Sequence, residues 1–131
     1  MEHISEEAYK AGLDLIEMKR EQATRGPIWD ALRTEDPIFF NGVGHGNDTT
    51  FTSDIDDEVQ WVFRTTDCDI LAERVTYLLS CLTGRELGPA IVAAGGRAYG
   101  GYEVTWRWIA EIIGQDPYDD YYAEGFWKSS A

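Results

Sequence analysis

The stretch Val75-Thr76-Tyr77-Leu78-Leu79-Ser80-Cys81 largely determines which fold we expect. Its first five residues form an apolar, β-prone run that predicts a buried strand, and Cys81 follows that strand almost at once. An earlier run, Pro37-Ile38-Phe39-Phe40, predicts another buried strand and is followed by Gly44-His45-Gly46-Asn47. Neighbouring parallel strands end at one edge of a sheet, where open α/β proteins bind their ligands. The sequence therefore predicts that His45 and Cys81 lie together.

The rest of the chain alternates predicted helices and strands. Apolar residues recur every three or four positions from Ser5 to Thr24, which predicts an amphipathic helix with Ser5 as its N-cap, ended by Gly26-Pro27. Residues 28–32 predict a helical turn with Trp29 and Leu32 packed inward. Residues 49–63 predict either a short hairpin or an excursion that covers the edge of the site. Further predicted elements are a capped helix over 66–72, a helix over 84–94 stopped by glycines, a strand over 97–102, and helices over 106–113 and 118–127. This order predicts one α/β domain over residues 1–131, with a mostly parallel sheet flanked by helices in three layers.

Composition and charge narrow the class of protein. The 131 residues are 44% hydrophobic, which is enough for a core, and no apolar run approaches the length of a membrane span. The N-terminus lacks the pattern of a secretory signal, so we expect a soluble, cytoplasmic protein without membrane partners. The net charge of −13 repels phosphate backbones and argues against nucleic-acid binding. An acidic surface with few lysines is typical of proteins from salt-loving microbes, and an ordinary acidic protein is the alternative.

The cysteines and acidic residues indicate neither a disulfide scaffold nor a metal site. The chain has two cysteines, Cys68 and Cys81, and no His/Cys cluster with zinc spacing. The acidic residues 54–58 favour a solvated turn over a calcium loop, because the glycine and spacing of that loop are absent. Cys68 lies between two aspartates that disfavour its thiolate, so we interpret it as structural. We expect no metal and no cofactor.

Cys81 and His45 together predict nucleophilic catalysis. A thiol becomes an effective nucleophile beside an imidazole or at the start of a helix, and Cys81 precedes a predicted helix. His45 is then the candidate general base. The oxyanion formed by the attack needs hydrogen-bond donors, for which the backbone N–H groups of Cys81 and Gly46 are our candidates. Gly46 carries no Cβ, so its backbone can approach a substrate closely.

The pairs His45-Gly46 and Ser80-Cys81, each placed after a hydrophobic strand, resemble the motifs of the caspase-like cysteine peptidases. Residues 78–84 and 93–102 are similar to gingipain-like and CHAT-like members in particular. The resemblance spans about residues 36–105 and implies a three-layer caspase-like domain in which Cys81 is the nucleophile, His45 the acid or base, and Gly46 an oxyanion donor. By position, Tyr102, Glu103 and Trp106 would line the substrate pocket, where Glu103 would favour a basic residue before the cleaved bond.

One departure from that family keeps other functions open. A complete caspase-like domain has further strands before the histidine-bearing strand, so this chain predicts a minimal, truncated or decayed version, or one completed by a partner chain. We therefore expect a cysteine endopeptidase acting on a peptide or protein substrate. The alternative is a catalytically inactive caspase-like module that binds a partner protein or a second copy of itself, through the former active-site edge or through an unpaired edge where its sheet is incomplete. A third possibility is a cysteine hydrolase or acyl transferase with a non-peptide substrate.

Overall fold

The computed structural model describes residues 2–55 and 58–106. Its helices are α1 (Glu2–Lys10), α2 (Arg25–Thr34) and α3 (Leu87–Ala93), with short 3-10 helices at Arg20–Gln22 and Asp69–Leu71. Its strands are β1 (Phe39–Val43), β2 (His45–Gly46), β3 (Thr50–Ile55), β4 (Glu58–Arg64), β5 (Val75–Leu79) and β6 (Ala98–Gly100). The chain separates into two compact units, and Met18–Trp106 is the unit that contains both candidate catalytic residues. The predicted helices over residues 106–113 and 118–127 lie outside the described residues, apart from Trp106.

The N-terminal helix is shorter than its pattern predicts. After α1 the chain turns at Gly12, whose φ of +70° is left-handed. The N–H groups of Gly12 and Leu13 donate to the carbonyls of Tyr9 and Ala8, which is the Schellman arrangement that ends helices. The prediction of one helix from Ser5 to Thr24 is wrong, because a glycine at this position closes the helix before the periodic pattern ends. Ser5 lies inside α1 and is not its N-cap.

Helix α2 begins at the Gly26-Pro27 pair that the sequence pattern treats as a helix end. Its first backbone bond runs from Ile28 N–H to Thr24 C=O, so Pro27 occupies a position where the helix needs no N–H. Gly-Pro therefore starts this helix, and that prediction is wrong. Leu32 is buried and Trp29 packs against the core, which confirms the predicted inward side of the helix.

The first sheet is parallel, with the strand order β1-β5-β6. β5 has the predicted bounds, and β6 is a shorter version of the predicted strand over residues 97–102. β1 begins two residues later than predicted and runs on to Val43, while Ile38 stays 72% exposed. β1 therefore ends two residues before His45, which is the first residue of β2.

The second sheet is antiparallel, with the order β2-β3-β4, and it contains the predicted hairpin. It occupies the connection from β1 to β5, where we predicted a capped helix over residues 66–72. That segment has only the 3-10 helix Asp69–Leu71, which has no side-chain cap. Between β5 and β6 the predicted helix does form, as α3, with Pro89 in its first turn and Gly95 left-handed after its end.

The core joins both sheets with α2 and α3. Its buried residues are Ile28, Leu32, Phe51, Val62, Phe63, Cys68, Leu71, Leu78, Leu87 and Ile91. Phe63 stacks on Phe51 and meets Phe40 edge to face at 5.2 Å. On β1, alternate residues point away from this core, and Phe39 and Val43 are 52% and 57% exposed. The chain is thus a mixed α/β protein with one parallel and one antiparallel sheet. None of its described helices is long and apolar enough to cross a membrane.

Candidate functional site

His45 and Cys81 lie at the same edge of the parallel sheet. Val43 and Leu79 are register partners at the carboxyl ends of β1 and β5, and each candidate residue follows two positions later. The N–H of Gly44 donates to the carbonyl of Leu79 at 3.2 Å, so the strands stay together up to the residue before His45. The prediction that the two strands are neighbours and end at one edge of a parallel sheet is confirmed, and a contact between the His45 imidazole and the Cys81 thiol stays a prediction.

Gly46 brings the loop of His45 into contact with the turn of Cys81. A Cβ placed on Gly46 would lie 2.8 Å from the carbonyl oxygen of Cys81 and 2.6 Å from Cγ2 of Thr83. These distances are well below ordinary van der Waals contacts of about 3.5–4.0 Å, so the two backbones approach this closely only because residue 46 is glycine. His45 itself is exposed.

Two backbone N–H groups at this edge lie outside the sheet ladders. Opposed residues of antiparallel strands alternate between bonded and non-bonded pairs. Since Asn47 N–H donates to Thr50 C=O, the pair of Gly46 and Phe51 is a non-bonded one, and the Gly46 N–H points away from β3. Within residues 2–55 and 58–106, no backbone carbonyl accepts the N–H of Cys81. These are the two donors that the sequence predicts for an oxyanion.

The chain after β6 runs beside the turn of Cys81. Leu82 and Gly84 donate their N–H groups to the carbonyls of Val104 and Tyr102, at 3.2 Å and 2.9 Å. The backbone N–H of Trp106 donates to Sγ of Cys81 at 3.2 Å. The half-buried thiol is therefore held by the segment that carries the predicted substrate-binding residues.

Tyr102 and Trp106 form an aromatic pair next to the thiol, with ring centroids 4.6 Å apart in an edge-to-face arrangement. The hydroxyls of Tyr102 and Tyr77 are 2.7 Å apart. Burial and this hydrogen bond raise the pKa of Tyr77 to about 12. Glu103 is exposed, and its carbonyl accepts a bond from Nε of Arg85 at 2.9 Å. All three predicted residues thus lie on the segment beside Cys81, and their contact with a substrate stays a prediction.

A chain of three hydroxyls joins two buried residues of the Cys81 turn, Ser80 and Thr83, to Tyr99 of β6, and the sequence did not predict it. Tyr99 donates to Oγ1 of Thr83 at 2.8 Å, and Thr83 Oγ1 lies 2.8 Å from Oγ of Ser80. Burial raises the pKa of Tyr99, and the bond to Thr83 opposes that effect. The spacing of Ser80 and Thr83 indicates a local turn contact, but nothing local links them to Tyr99.

The structure also places the residues to which we gave no catalytic role. Cys68 lies in the core and is 3% exposed. Burial, with smaller contributions from Asp69 and Asp67, raises the pKa of its thiol. A neutral, buried thiol fits the structural role that we predicted. In the described part of the chain, no group of three or more His, Cys, Asp or Glu side chains is arranged to hold a metal ion.

No family model matches the chain, and no curated protein or solved structure is significantly similar to it. The resemblance to caspase-like peptidases therefore rests on the pairs His45-Gly46 and Ser80-Cys81 and on their places after β1 and β5.

Proposed function

We propose that this chain is a cysteine endopeptidase of the caspase-like type, with a Cys81-His45 dyad. The observation that carries the proposal is the contact of Gly46 with the Ser80-Cys81 turn at the carboxyl ends of two neighbouring parallel strands. It puts a thiol, an imidazole-bearing loop and two backbone N–H donors at one edge, which is the set of groups that acyl transfer to a thiol requires.

The proposed reaction has two halves. His45 takes the proton of the Cys81 thiol, and the sulfur attacks the peptide carbonyl carbon while the N–H groups of Gly46 and Cys81 hold the oxyanion. The C–N bond breaks as the imidazolium of His45 protonates the leaving amine, which leaves a thioester on Cys81. Water, deprotonated by His45, then attacks the thioester, and the released thiolate recovers the proton. No cofactor or metal takes part in these steps.

The surroundings of Cys81 support a peptide or protein substrate. Trp106, whose backbone N–H contacts the sulfur, pairs its ring with that of Tyr102, and the exposed carboxylate of Glu103 would attract a basic residue before the cleaved bond. The net charge of −13 would steer cationic substrates toward the protein and nucleic acids away from it. The proposal includes a three-layer caspase-like fold for the whole chain and a cytoplasmic location.

The experiment that tests the proposal is cleavage of a diverse peptide library, read by mass spectrometry at low and at molar salt. Wild type should cleave, whereas Cys81→Ala and His45→Ala should not. Cys68→Ala is the matched control, because it removes the other thiol of the chain and leaves the sheet edge intact. Persistent cleavage by a folded Cys81→Ala variant would refute the mechanism, and the residue before each cut would show whether Glu103 selects a basic side chain.

A second candidate function, a non-catalytic module that binds a partner, is favoured by one observation. Among the described strands β1 is at the edge of the parallel sheet, and it is uncharged and presents Phe39 and Val43 to solvent. Unprotected edges of this kind pair with other chains. If wild type cleaves nothing, sedimentation velocity should show an oligomer that Val43→Lys dissociates. A monomeric wild type at about 100 times the concentration of the cleavage assay would count against self-association through β1.

A further inference from the structure

The turn that carries Cys81 contains a strained residue. Leu82 has a φ of +62°, in the left-handed region that side chains other than glycine rarely adopt. Such a conformation costs about 1–3 kcal/mol and persists only where surrounding contacts hold it.

Thr83, which is fully buried, provides contacts on two sides through the two branches of its side chain. Its hydroxyl accepts the bond from Tyr99 and lies within bonding distance of Ser80 Oγ. Its methyl carbon is the atom that a Cβ on Gly46 would meet at 2.6 Å. One branch therefore links the Cys81 turn to β6, and the other packs against the loop of His45.

We propose that Thr83 and Tyr99 are positioning residues, whose hydroxyls hold the Cys81 turn in its strained shape and so set the reactivity of the thiol. This inference rests on the proposed role of Cys81 as a nucleophile. Tyr99 and Thr83 act through the turn and do not touch the reacting atoms. Ser80 extends the chain of hydroxyls on the other side of Thr83, since the Thr83 O–H can donate a hydrogen bond to Ser80 Oγ while Thr83 Oγ1 accepts one from Tyr99.

Two substitutions at residue 83 separate the hydroxyl from the methyl. Thr83→Val keeps the methyl that packs on Gly46 and removes the hydroxyl, which leaves the half-buried Tyr99 OH and the buried Ser80 Oγ without that partner. Thr83→Ser keeps the hydroxyl and removes the methyl. Rescue by serine is the outcome that a role in packing alone would not produce.

The assay is the rate at which iodoacetamide alkylates Cys81, followed by intact-mass spectrometry in a Cys68→Ala background with one thiol. We expect Tyr99→Phe, which removes one hydrogen bond, to slow alkylation about tenfold, and Thr83→Val, which removes that bond and the one with Ser80, to slow it by at least about tenfold. Thr83→Ser should stay within about twofold of wild type. The double variant Thr83→Val, Tyr99→Phe should be no slower than Thr83→Val alone, because the bond that Tyr99→Phe removes is already absent from Thr83→Val.

The matched control is Tyr77→Phe, which also removes one tyrosine hydroxyl from a short hydroxyl–hydroxyl bond. It should leave the alkylation rate within about twofold of wild type. Thermal unfolding of each variant shows that it is folded at the assay temperature. An unchanged rate in folded Thr83→Val, or a Thr83→Ser variant as slow as Thr83→Val, would overturn the proposal.

The same data separate this inference from the proposed function. A wild-type Cys81 that reacts no faster than a cysteine in an unfolded peptide would refute the role of nucleophile, and the positioning role with it. A reactive wild-type Cys81 whose rate does not depend on Thr83 or Tyr99 would refute the positioning role alone.

Discussion

Replacement of Gly46 by alanine tests the contact on which the proposed active site depends. The new Cβ would lie 2.6 Å from Cγ2 of Thr83 and 2.8 Å from the carbonyl oxygen of Cys81. Ordinary contacts between such atoms are about 3.5–4.0 Å, so the His45 loop and the Cys81 turn must separate by roughly 1 Å. Thr83 is buried and the Cys81 oxygen belongs to the backbone, so neither atom can move away at little cost.

Gly46→Ala should lower both the stability of the protein and the rate of cleavage. Insertion of a methyl group into a packed site costs about 1–3 kcal/mol, so the free energy of unfolding should fall by that amount. A displacement of about 1 Å between catalytic groups lowers the rate by about 100-fold. We therefore expect kcat/KM for peptide cleavage to fall by about 100-fold in Gly46→Ala, while the variant remains folded.

Gly96→Ala is a matched control for the clash. Its Cβ would lie 2.8 Å from the carbonyl oxygen of Ile91 and 2.9 Å from a methyl carbon of that residue. Gly96 precedes β6, at the amino end of the parallel sheet, whereas Cys81 follows the carboxyl end of β5. Urea unfolding should show similar losses for both variants, and cleavage should be impaired only in Gly46→Ala. Equal loss of cleavage in both variants, or full activity of Gly46→Ala, would refute the reasoning.

Three further predictions concern the side chains of Arg74, Tyr77 and Cys68. The guanidinium of Arg74 donates to the carbonyls of Leu32, Ile70 and Ala72 and to the carboxylate of Asp36, so Arg74→Met should lower the free energy of unfolding in urea by about 3 kcal/mol, and a loss below about 1 kcal/mol would contradict this. The pKa of Tyr77 is raised to about 12, so the folded protein favours the neutral form of this side chain. Its contribution to the free energy of unfolding is complete below the pKa of about 10 that tyrosine has in the unfolded chain, and it is lost as pH rises through about 12. Between pH 10 and 12, the melting temperature should therefore fall less for Tyr77→Phe than for wild type. Equal falls in the melting temperature would contradict the raised pKa of Tyr77. Because burial raises the pKa of Cys68, peptide mapping after alkylation should find label on Cys81 in the folded protein and on Cys68 only in urea, so native labelling of Cys68 would show that its environment is misjudged.

Some features of the fold are encoded locally and were predictable. Strand β5 is a run of β-prone residues in the centre of its sheet, so local preference and burial agree and its bounds are as predicted. The hairpin of β3 and β4 and the helix α3 follow equally clear patterns. Because His45 and Cys81 each lie two positions after the end of a strand, their shared edge could be predicted once the strands were assumed to be neighbours.

Other features were mispredicted where two local signals compete. Gly12 ends α1 although the apolar periodicity continues, and Gly26-Pro27 starts α2 although the same pair often follows a helix end. The strand before His45 is displaced because Pro37 and Ile38 satisfy an apolar pattern although β1 begins at Phe39, and Ile38 contributes only its carbonyl, which accepts the N–H of Val75. In each case, the backbone bonds available to a few residues decided the outcome, and side-chain periodicity does not report those bonds.

The sequence by itself determined the types of chemical group at the candidate site, since His45, Cys81 and Gly46 were identified from their neighbours in the chain. Only the tertiary structure decided how these groups are held. The bond from Tyr99 to Thr83, the contact of Thr83 with Gly46, and the bond from Trp106 to Cys81 each join residues far apart in the chain. No local preference favours such pairs, because they form only when β1, β5 and β6 align in one register and bring their carboxyl ends together.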